Sequence, residues 1–331
     1  MDLKTQLEVK INFIGFIGNY GGDEYEKIFC ERLQLKGENV SLNTITAKRK
    51  NGIKTLFGLI KLILLGFISK GKLVRPFGIP IYRYKMTVIL HHFDQSGAPF
   101  YTYMLEMVEL FFLKLLSRPL KIKFITVSEY WALWVNNTFK ANSFVIYNTV
   151  NPIAINVMPK AYIAKKYNLC QNSEWIFLGS NQSKKGGDKI VQYLNSNFEN
   201  ETHNIQLIQS GKTDNSNLAN LAVRWIEEDD YISFIKSCSI VIANSQFNEG
   251  WCRVLHEAAL LGTPISGSGA GGMGELLALI NGKSNYTIDE MSHLIINKKL
   301  RIIPDKSTIN RLHELSDTNL LKWYKALLDD E

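Results

Sequence analysis

Short apolar runs of strand length alternate along almost the whole chain with stretches whose apolar residues recur at helical spacing. That alternation restricts the fold to parallel sheets wrapped by helices. Candidate strands in the first half are Val9–Ile14, Val40–Ile45, Thr87–Leu90, Lys123–Val127 and Phe144–Tyr147. In the second half they are Trp175–Leu178, Ile205–Ile208, Ala222–Trp225, Ile240–Ala243 and Pro264–Ser266. Between the two sets, Asn148–Asn172 carries Pro152 and Pro159 and fits a domain junction. The expected architecture is α/β: two Rossmann-like domains, 1–155 and 156–316, facing a cleft, with ligands at the carboxyl ends of the strands. The amphipathic end, 317–331, has the pattern of a helix able to pack back on the first domain or onto the second.

Composition narrows the class. The chain has 331 residues, enough for two ordinary domains, each with its own core. Cys30, Cys170, Cys238 and Cys252 are far apart and form no C-x-x-C pair, so reduced thiols are expected rather than a zinc site or a disulfide framework. The opening Met-Asp-Leu-Lys-Thr-Gln lacks the basic-then-apolar pattern of a signal peptide, and a cytoplasmic protein is expected. Residues 1–155 hold 20 Lys/Arg against 11 Asp/Glu, whereas residues 156–331 hold 18 against 20. The positive excess therefore sits in the first half, where it suits an anionic partner. Aromatic–basic interleaving of the RNA-binding kind is missing, and no nucleic acid partner is expected.

The segment Gly52–Val74 breaks the pattern. Its apolar stretch is interrupted by Lys61, is too short for a comfortable membrane span, and is flanked by Lys48, Arg49, Lys50, Lys54, Lys70, Lys72 and Arg75. Such a composition suits a helix lying on an anionic leaflet, through residues 48–75, as well as a buried crossover helix. Met104–Leu116, followed by Arg118, Lys121 and Lys123, fits the same face or a core.

Chemistry concentrates in residues 248–275. Glu249 and Glu257 bracket the start of an expected helix, Gly262-Thr263-Pro264 ends it, and a glycine cluster from Gly267 to Gly274 follows. With the strand Ile240–Ala243 upstream, these elements form an anion pocket with acids on either side. A molecule with phosphates in its middle and hydroxyls at both ends, such as a nucleotide sugar, has the matching shape.

The block from Ser237 to Glu275 resembles the donor-binding region of retaining glycosyltransferases of family four, which have the GT-B fold, and Asp230 to Ser245 resembles the helix and strand leading into it. The resemblance rests on Glu249-Gly250-Trp251-Cys252-Arg253-Val254-Leu255-His256-Glu257-Ala258, Gly262-Thr263-Pro264-Ile265, and Gly271-Gly272 with Glu275. Weaker likenesses extend over most of the chain. Leu178-Gly-Ser-Asn-Gln-Ser-Lys-Lys-Gly-Gly-Asp188 resembles the family's phosphate loop, and Gly15 to Gly22 its opening glycine loop.

A helix starting near Gly250 would offer free N–H groups and a positive dipole end to a diphosphate. Glu249, just before it, can hold the donor sugar by its hydroxyls. Glu257, ~12 Å further along a helix, can accept hydrogen bonds from the ribose. The resemblance implies both roles, with Gly250, Trp251, Cys252 and Arg253 as further donor contacts. Lys185 is the candidate for stabilising charge on the leaving diphosphate, with Lys184 beside it. The family's arginine falls at Ser180, so phosphate binding loses a guanidinium that Lys184 or Arg253 would have to replace. Plain surface charge is the rival reading of both lysines.

His91 and His92 end a strand where the resemblance implies a histidine near the reacting sugar. An imidazole there can hydrogen-bond hydroxyls or handle an acceptor proton, and a purely structural histidine is the rival. Alternation leaves open which one faces the cleft. His92 is the preferred catalytic candidate with Glu249 and Lys185; His91 and Asp94 are acceptor candidates. Gly21 and Gly22 would let backbone approach the donor phosphates or merely form a tight turn.

No Asp-x-Asp occurs, so no metal or other cofactor is expected. Gly15-Phe-Ile-Gly18 is not G-x-G-x-x-G, and Val40–Ile45 ends without an acid for ribose, which disfavours NAD. The expected activity is transfer of a sugar, hexosyl or related, from a nucleotide donor to an acceptor hydroxyl. Retention is implied by the resemblance alone. A glycan or lipid-linked acceptor would account for the basic, apolar 48–75 segment and for a peripheral place at the inner face of a membrane. The rivals are a nucleotide-sugar epimerase or phosphorylase of the same fold and a non-catalytic nucleotide-sugar-binding partner of a glycan assembly complex.

Overall fold

The computed structural model describes residues 10–17, 27, 30, 31, 33, 34, 39–46, 52–93, 100–148, 157–198, 204–211 and 221–328. It divides into two compact units, Met1–Thr149 with Ser316–Glu331, and Val150–Leu315.

In the first unit six strands lie in the order β2-β1-β3-β4-β5-β6. They are β1 (Ile11–Ile17), β2 (Val40–Thr46), β3 (Lys72–Pro76), β4 (Thr87–Leu90), β5 (Lys123–Thr126) and β6 (Ser143–Val145), and every pairing is parallel. All four residues of β4 are buried, as a parallel strand covered on both faces requires. The described helices between strands are α1 (Gly52–Ile68), α2 (Phe100–Leu116) and α3 (Glu129–Phe139). Crossovers β2–α1–β3 and β4–α2–β5 step the same way across the sheet, and right-handed connections then put α1 and α2 on one face. Leu62 of α1 and Leu113 of α2 accordingly share a core with Ile14, Val88 and Phe124. Ser128 caps α3 by accepting from the Trp131 N–H.

All ten expected strands recur, with ends moved by up to a few residues, and one more appears. Lys72–Pro76, whose first three residues fall in the segment read as a single apolar helix, forms β3 in mid-sheet. Arg75, read as a flanking cation for a membrane surface, is instead fully buried. Its guanidinium meets Glu109 of α2 at 2.7 Å and donates through Nε to the Ile81 carbonyl at 2.8 Å. Tyr82 donates to the other Glu109 oxygen at 2.5 Å. Arg75 Nη2 and Glu109 Oε1 meet as charges without a hydrogen bond, while Nε and the second carboxylate oxygen are hydrogen-bonded, and the buried pair fixes α2 against β3. Lys72 also turns inward, donating to the Leu327 carbonyl at 2.6 Å.

In the second unit the sheet order is β11-β10-β7-β8-β9, again wholly parallel. Its strands are β7 (Glu174–Ser180), β8 (Ile205–Ser210), β9 (Leu221–Arg224), β10 (Ile240–Ala243) and β11 (Ile265–Gly267). Its helices are α4 (Lys160–Tyr167), α5 (Gly187–Asn197), α6 (Glu228–Ser237), α7 (Arg253–Leu260), α8 (Met273–Asn281) and α9 (Ile288–Ile296). The last helix, α10 (Lys306–Leu328), begins in this unit and ends in the first. Ile176, Leu178, Ile190, Leu207 and Ile242 lie in a core under α5 and α9.

Candidate functional site

Three adjacent strands, β7, β10 and β11, run into three loops at their carboxyl ends, and each loop leads to a helix, α5, α7 or α8. None of those three helices has a side-chain cap: their N-cap residues are Gly186, Cys252 and Gly272. Elsewhere α9 is closed by a Thr287–Glu290 capping box and α3 by Ser128, whereas α4 and α6 also lack a side-chain cap, α6 with three acids in its first turn. Uncapped first-turn amides at one sheet edge suit an external anion. The first turn of α7 also holds no acid and opens with Arg253.

The loops are fastened to one another. Asn244, next after β10, donates through Nδ2 to the Gly186 carbonyl at 2.9 Å, and the Gln246 N–H donates to the Lys184 carbonyl at 2.9 Å. Gly186 has φ +62°, and a Cβ there would lie 2.3 Å from the Asn244 carbonyl oxygen, so only glycine fits. On the other side the Glu249 N–H donates to the Ala270 carbonyl at 3.1 Å and the Gly272 N–H to the Glu249 carbonyl at 2.9 Å. Gly271, at φ +67°, lets this bridge close.

Glu249 is the hub. Lys185 Nζ lies 2.6 Å from Glu249 Oε1, and Ser245 donates its hydroxyl to the same oxygen. Ser268 donates to the Ser245 carbonyl at 2.9 Å and so ties β11's loop to this cluster. Lys184 and Lys185 sit over the Phe247 ring at 4.6 and 4.9 Å. The carboxylate is nearly buried while Lys185 keeps about a third of its side chain exposed, 11% against 31%. An ammonium so placed keeps an exposed side that can meet an external anion.

The second acid is in a different state. Glu257 lies in the second turn of α7, because the helix begins at Arg253 and not near Gly250. Burial raises its carboxyl pKa, against the opposing pull of Arg253, whose Nη2 is 3.1 Å away, and a hydrogen bond from Tyr231. Arg253 is thus turned toward Glu257, and its Nε is buried with no hydrogen-bond partner among the described residues. Trp251 is buried and donates its indole N–H to His256 Nδ1 at 3.1 Å. Gly250 is buried too. The Cys252 thiol is protonated at neutral pH, pushed up to about 12 by burial and then by the Glu249 charge. Ser180 turns to its own loop, with Oγ accepting from the Gln182 N–H at 3.4 Å.

The expected donor residues Ser180, Lys184, Lys185, Gly250, Trp251, Cys252, Arg253, Glu249 and Glu257 therefore all belong to the loops and helix at one sheet edge of the second unit. His91 and His92 follow β4 in the first unit, half-buried and exposed respectively. Asp94, Gly21 and Gly22 lie outside the described residues. Among the described residues no group of three or more His, Cys, Asp or Glu side chains is arranged to hold a metal ion.

Sequence reasoning overlooked Ser245, Asn244, Ser268 and His256. The first two follow β10 directly, where a strand's carboxyl end delivers side chains to a site, and that position was the available signal. His256 is fully buried, with Nε2 lacking a partner. Burial first, and then the His313 and Arg253 charges, push its pKa down to about 3, so the imidazole is neutral.

No family model matches the chain, and no curated protein matches it by sequence. Solved structures do match its fold. Sucrose-phosphate synthase from Thermosynechococcus elongatus aligns with TM-score 0.69 at 14% identity, covering 96% of this chain and 98% of that one. WaaG, a glycosyltransferase involved in lipopolysaccharide biosynthesis, aligns with TM-score 0.67 at 11% identity, covering 96% and 99%. Anabaena HepE, solved in complex with UDP and glucose, aligns with TM-score 0.62 at 15% identity, covering 97% and 96%. The chain has the GT-B fold of two parallel-sheet α/β units.

Proposed function

We infer that the protein is a glycosyltransferase that takes a sugar from a nucleotide-sugar donor and passes it to an acceptor hydroxyl. The observation that carries this reading is the Lys185–Glu249–Ser245 cluster beside the uncapped start of α7, within a GT-B fold. The α7 amides, with Arg253, would take the donor's diphosphate. Lys185 would turn from Glu249 to the departing phosphate, neutralising the charge that builds as the glycosidic bond breaks. Released from that lysine, Glu249 would accept hydrogen bonds from sugar hydroxyls. Glu257, held by Arg253 and Tyr231, would face the ribose.

Finer points rest on the sequence: the resemblance implies membership of family four, a hexosyl or related sugar and retention at the anomeric carbon, and the missing Asp-x-Asp favours chemistry without a metal. Solved structures named for UDP, UDP-glucose and lipopolysaccharide biosynthesis support a nucleotide sugar as donor and a surface polysaccharide or lipid-linked glycan as acceptor. A lipid-linked acceptor goes with a peripheral place on the cytoplasmic face of a membrane; no described helix is long and apolar enough to cross one. Ser180, in place of the resemblance's arginine, favours a second reading, donor binding without turnover.

Incubation with a panel of UDP-, GDP- and ADP-sugars, followed by measurement of nucleoside diphosphate release, separates the two. Release from one donor that is lost in Lys185→Ala supports the transferase. Tight binding of a donor with no release supports the second reading, and neither binding nor release removes both.

A further inference from the structure

The outer face of the first unit is built the wrong way round for contact with water alone. On α1, Phe57, Leu64, Phe67 and Ile68 are each between 57% and 73% exposed, and on α2, Phe111 and Leu115 are 63% and 60% exposed. Positions 57, 64, 67 and 68 fall on one side of α1, opposite buried Leu62 and Gly66. Positions 104, 108, 111 and 115 fall on one side of α2, opposite buried Glu109 and Leu113. Ile60, Met104 and Val108 are exposed too and extend the two stripes. Both helices lie on the same face of the sheet, so the stripes form one surface. Side chains of this size at about half exposure amount to roughly 900 Å², beyond the few hundred Å² usual for a monomer's largest apolar patch.

Charge distinguishes among occupants. Lys61, Lys70, Lys114, Arg118 and Lys121 are exposed on or beside the two helices. Residues 48–123 contain 14 Lys/Arg against three acids, Asp94, Glu106 and Glu109. Glu109 is sealed inside against Arg75, and Glu106 is half-buried. A second copy of this chain would set these cations against one another. An anionic phospholipid surface takes the apolar stripes into its acyl boundary and meets the cations with its headgroups.

We propose that the α1–α2 face docks on an anionic bilayer, with Phe57, Phe67 and Phe111 entering the lipid and Lys61, Lys70, Lys114 and Arg118 resting on phosphate. Its contact is in-plane: α1 has 17 residues, or about 25 Å, and no described helix can span. Docking needs no nucleotide sugar, so this inference stands or falls separately from the transfer reaction.

Co-sedimentation of the full chain with vesicles tests it. Phosphatidylcholine vesicles carrying one-third phosphatidylglycerol should retain the protein, pure phosphatidylcholine vesicles should retain much less, and added salt should weaken the difference. The double variant Phe67→Ser/Phe111→Ser should lose about tenfold or more in partitioning without a fall in thermal midpoint, since both side chains are exposed. Lys61→Glu/Lys114→Glu should abolish the preference for anionic vesicles. A chain that stays in the supernatant with both vesicle types overturns the proposal. So does a dimer that the Phe67→Ser/Phe111→Ser variant dissociates while vesicle partitioning is unchanged.

Discussion

Single side chains at the sheet edge of the second unit carry distinct electrostatic duties, and each leaves a measurable trace. Lys185→Ala should lower donor turnover by about 10²–10³-fold, read as nucleoside diphosphate release, with little change in thermal midpoint because its ammonium is partly exposed. His256 gives a pH signature instead. Its folded pKa of about 3 lies below the ordinary histidine value of 6.5, so between those two the unfolded chain binds the extra proton. Stability is therefore full above pH 6.5 and falls as pH drops toward 3, by at most ~1.4 kcal/mol per pH unit. Glu257 works in the opposite direction, since its raised carboxyl pKa favours the folded state as it protonates. Denaturant unfolding of wild type and His256→Leu across pH 4–7 isolates the imidazole: the variant's profile should be the flatter one, and parallel profiles would contradict the assignment. None of this could be read from His256's place in the sequence, which looks like an ordinary helical position. Its neutrality comes first from burial, which only the fold reveals, and Trp251, five residues back, folds over to donate to Nδ1.

At the scale of elements, the strands were legible and their attachments were not. Ile240–Ala243 and Thr87–Leu90 are unbroken apolar runs, and unbroken burial on both faces follows. Lys72–Pro76 was disguised by two cations and a proline, and its burial makes sense only with Glu109, 34 residues later, supplying the counter-charge. Glu109→Leu should therefore cost about 3–5 kcal/mol in chemical denaturation by stranding Arg75. Arg75→Met/Glu109→Leu should recover most of that loss; failure to recover would mean that the pair's geometry, and not its charge balance, holds α2. The loops offer a cleaner contrast. Gly186 and Gly262 have similar positive φ, +62° and +73°, but a Cβ at Gly186 meets the Asn244 carbonyl oxygen at 2.3 Å whereas at Gly262 the nearest atom is 4.0 Å away. Gly262→Ala should cost about 1 kcal/mol from backbone strain. Gly186→Ala should cost distinctly more and weaken nucleotide binding as well, because it forces apart the loops after β7 and β10. Equal costs for the two would contradict the close approach.

For the whole molecule, two parallel sheets were foreseeable from the rhythm of the chain, and the gathering of loops at one edge of the second sheet from the Glu249–Glu275 block. The reason is local: in a parallel sheet the residues after consecutive strands all emerge at one edge, so a contiguous motif builds most of that loop cluster. Ser245 and Asn244 carry no glycine or acid signal of their own, although they fasten Glu249 and Gly186 in place. The basic, apolar character of residues 48–75 was visible, whereas its partition into α1, inward-turned Lys72 and buried Arg75 required the fold. Charge asymmetry survives that correction, carried now by Lys61, Lys70, Lys114 and Arg118 on the outer face. The central claim is that the start of α7, with Lys185 and Glu249 beside it, receives the diphosphate of an activated sugar. Isothermal titration of the full chain with UDP, GDP and ADP, repeated on Lys185→Ala, tests it most directly. One nucleoside diphosphate should bind with the wild type and weaken about tenfold or more in the variant. Binding that is absent for all three, or unchanged by the loss of Lys185, would contradict it.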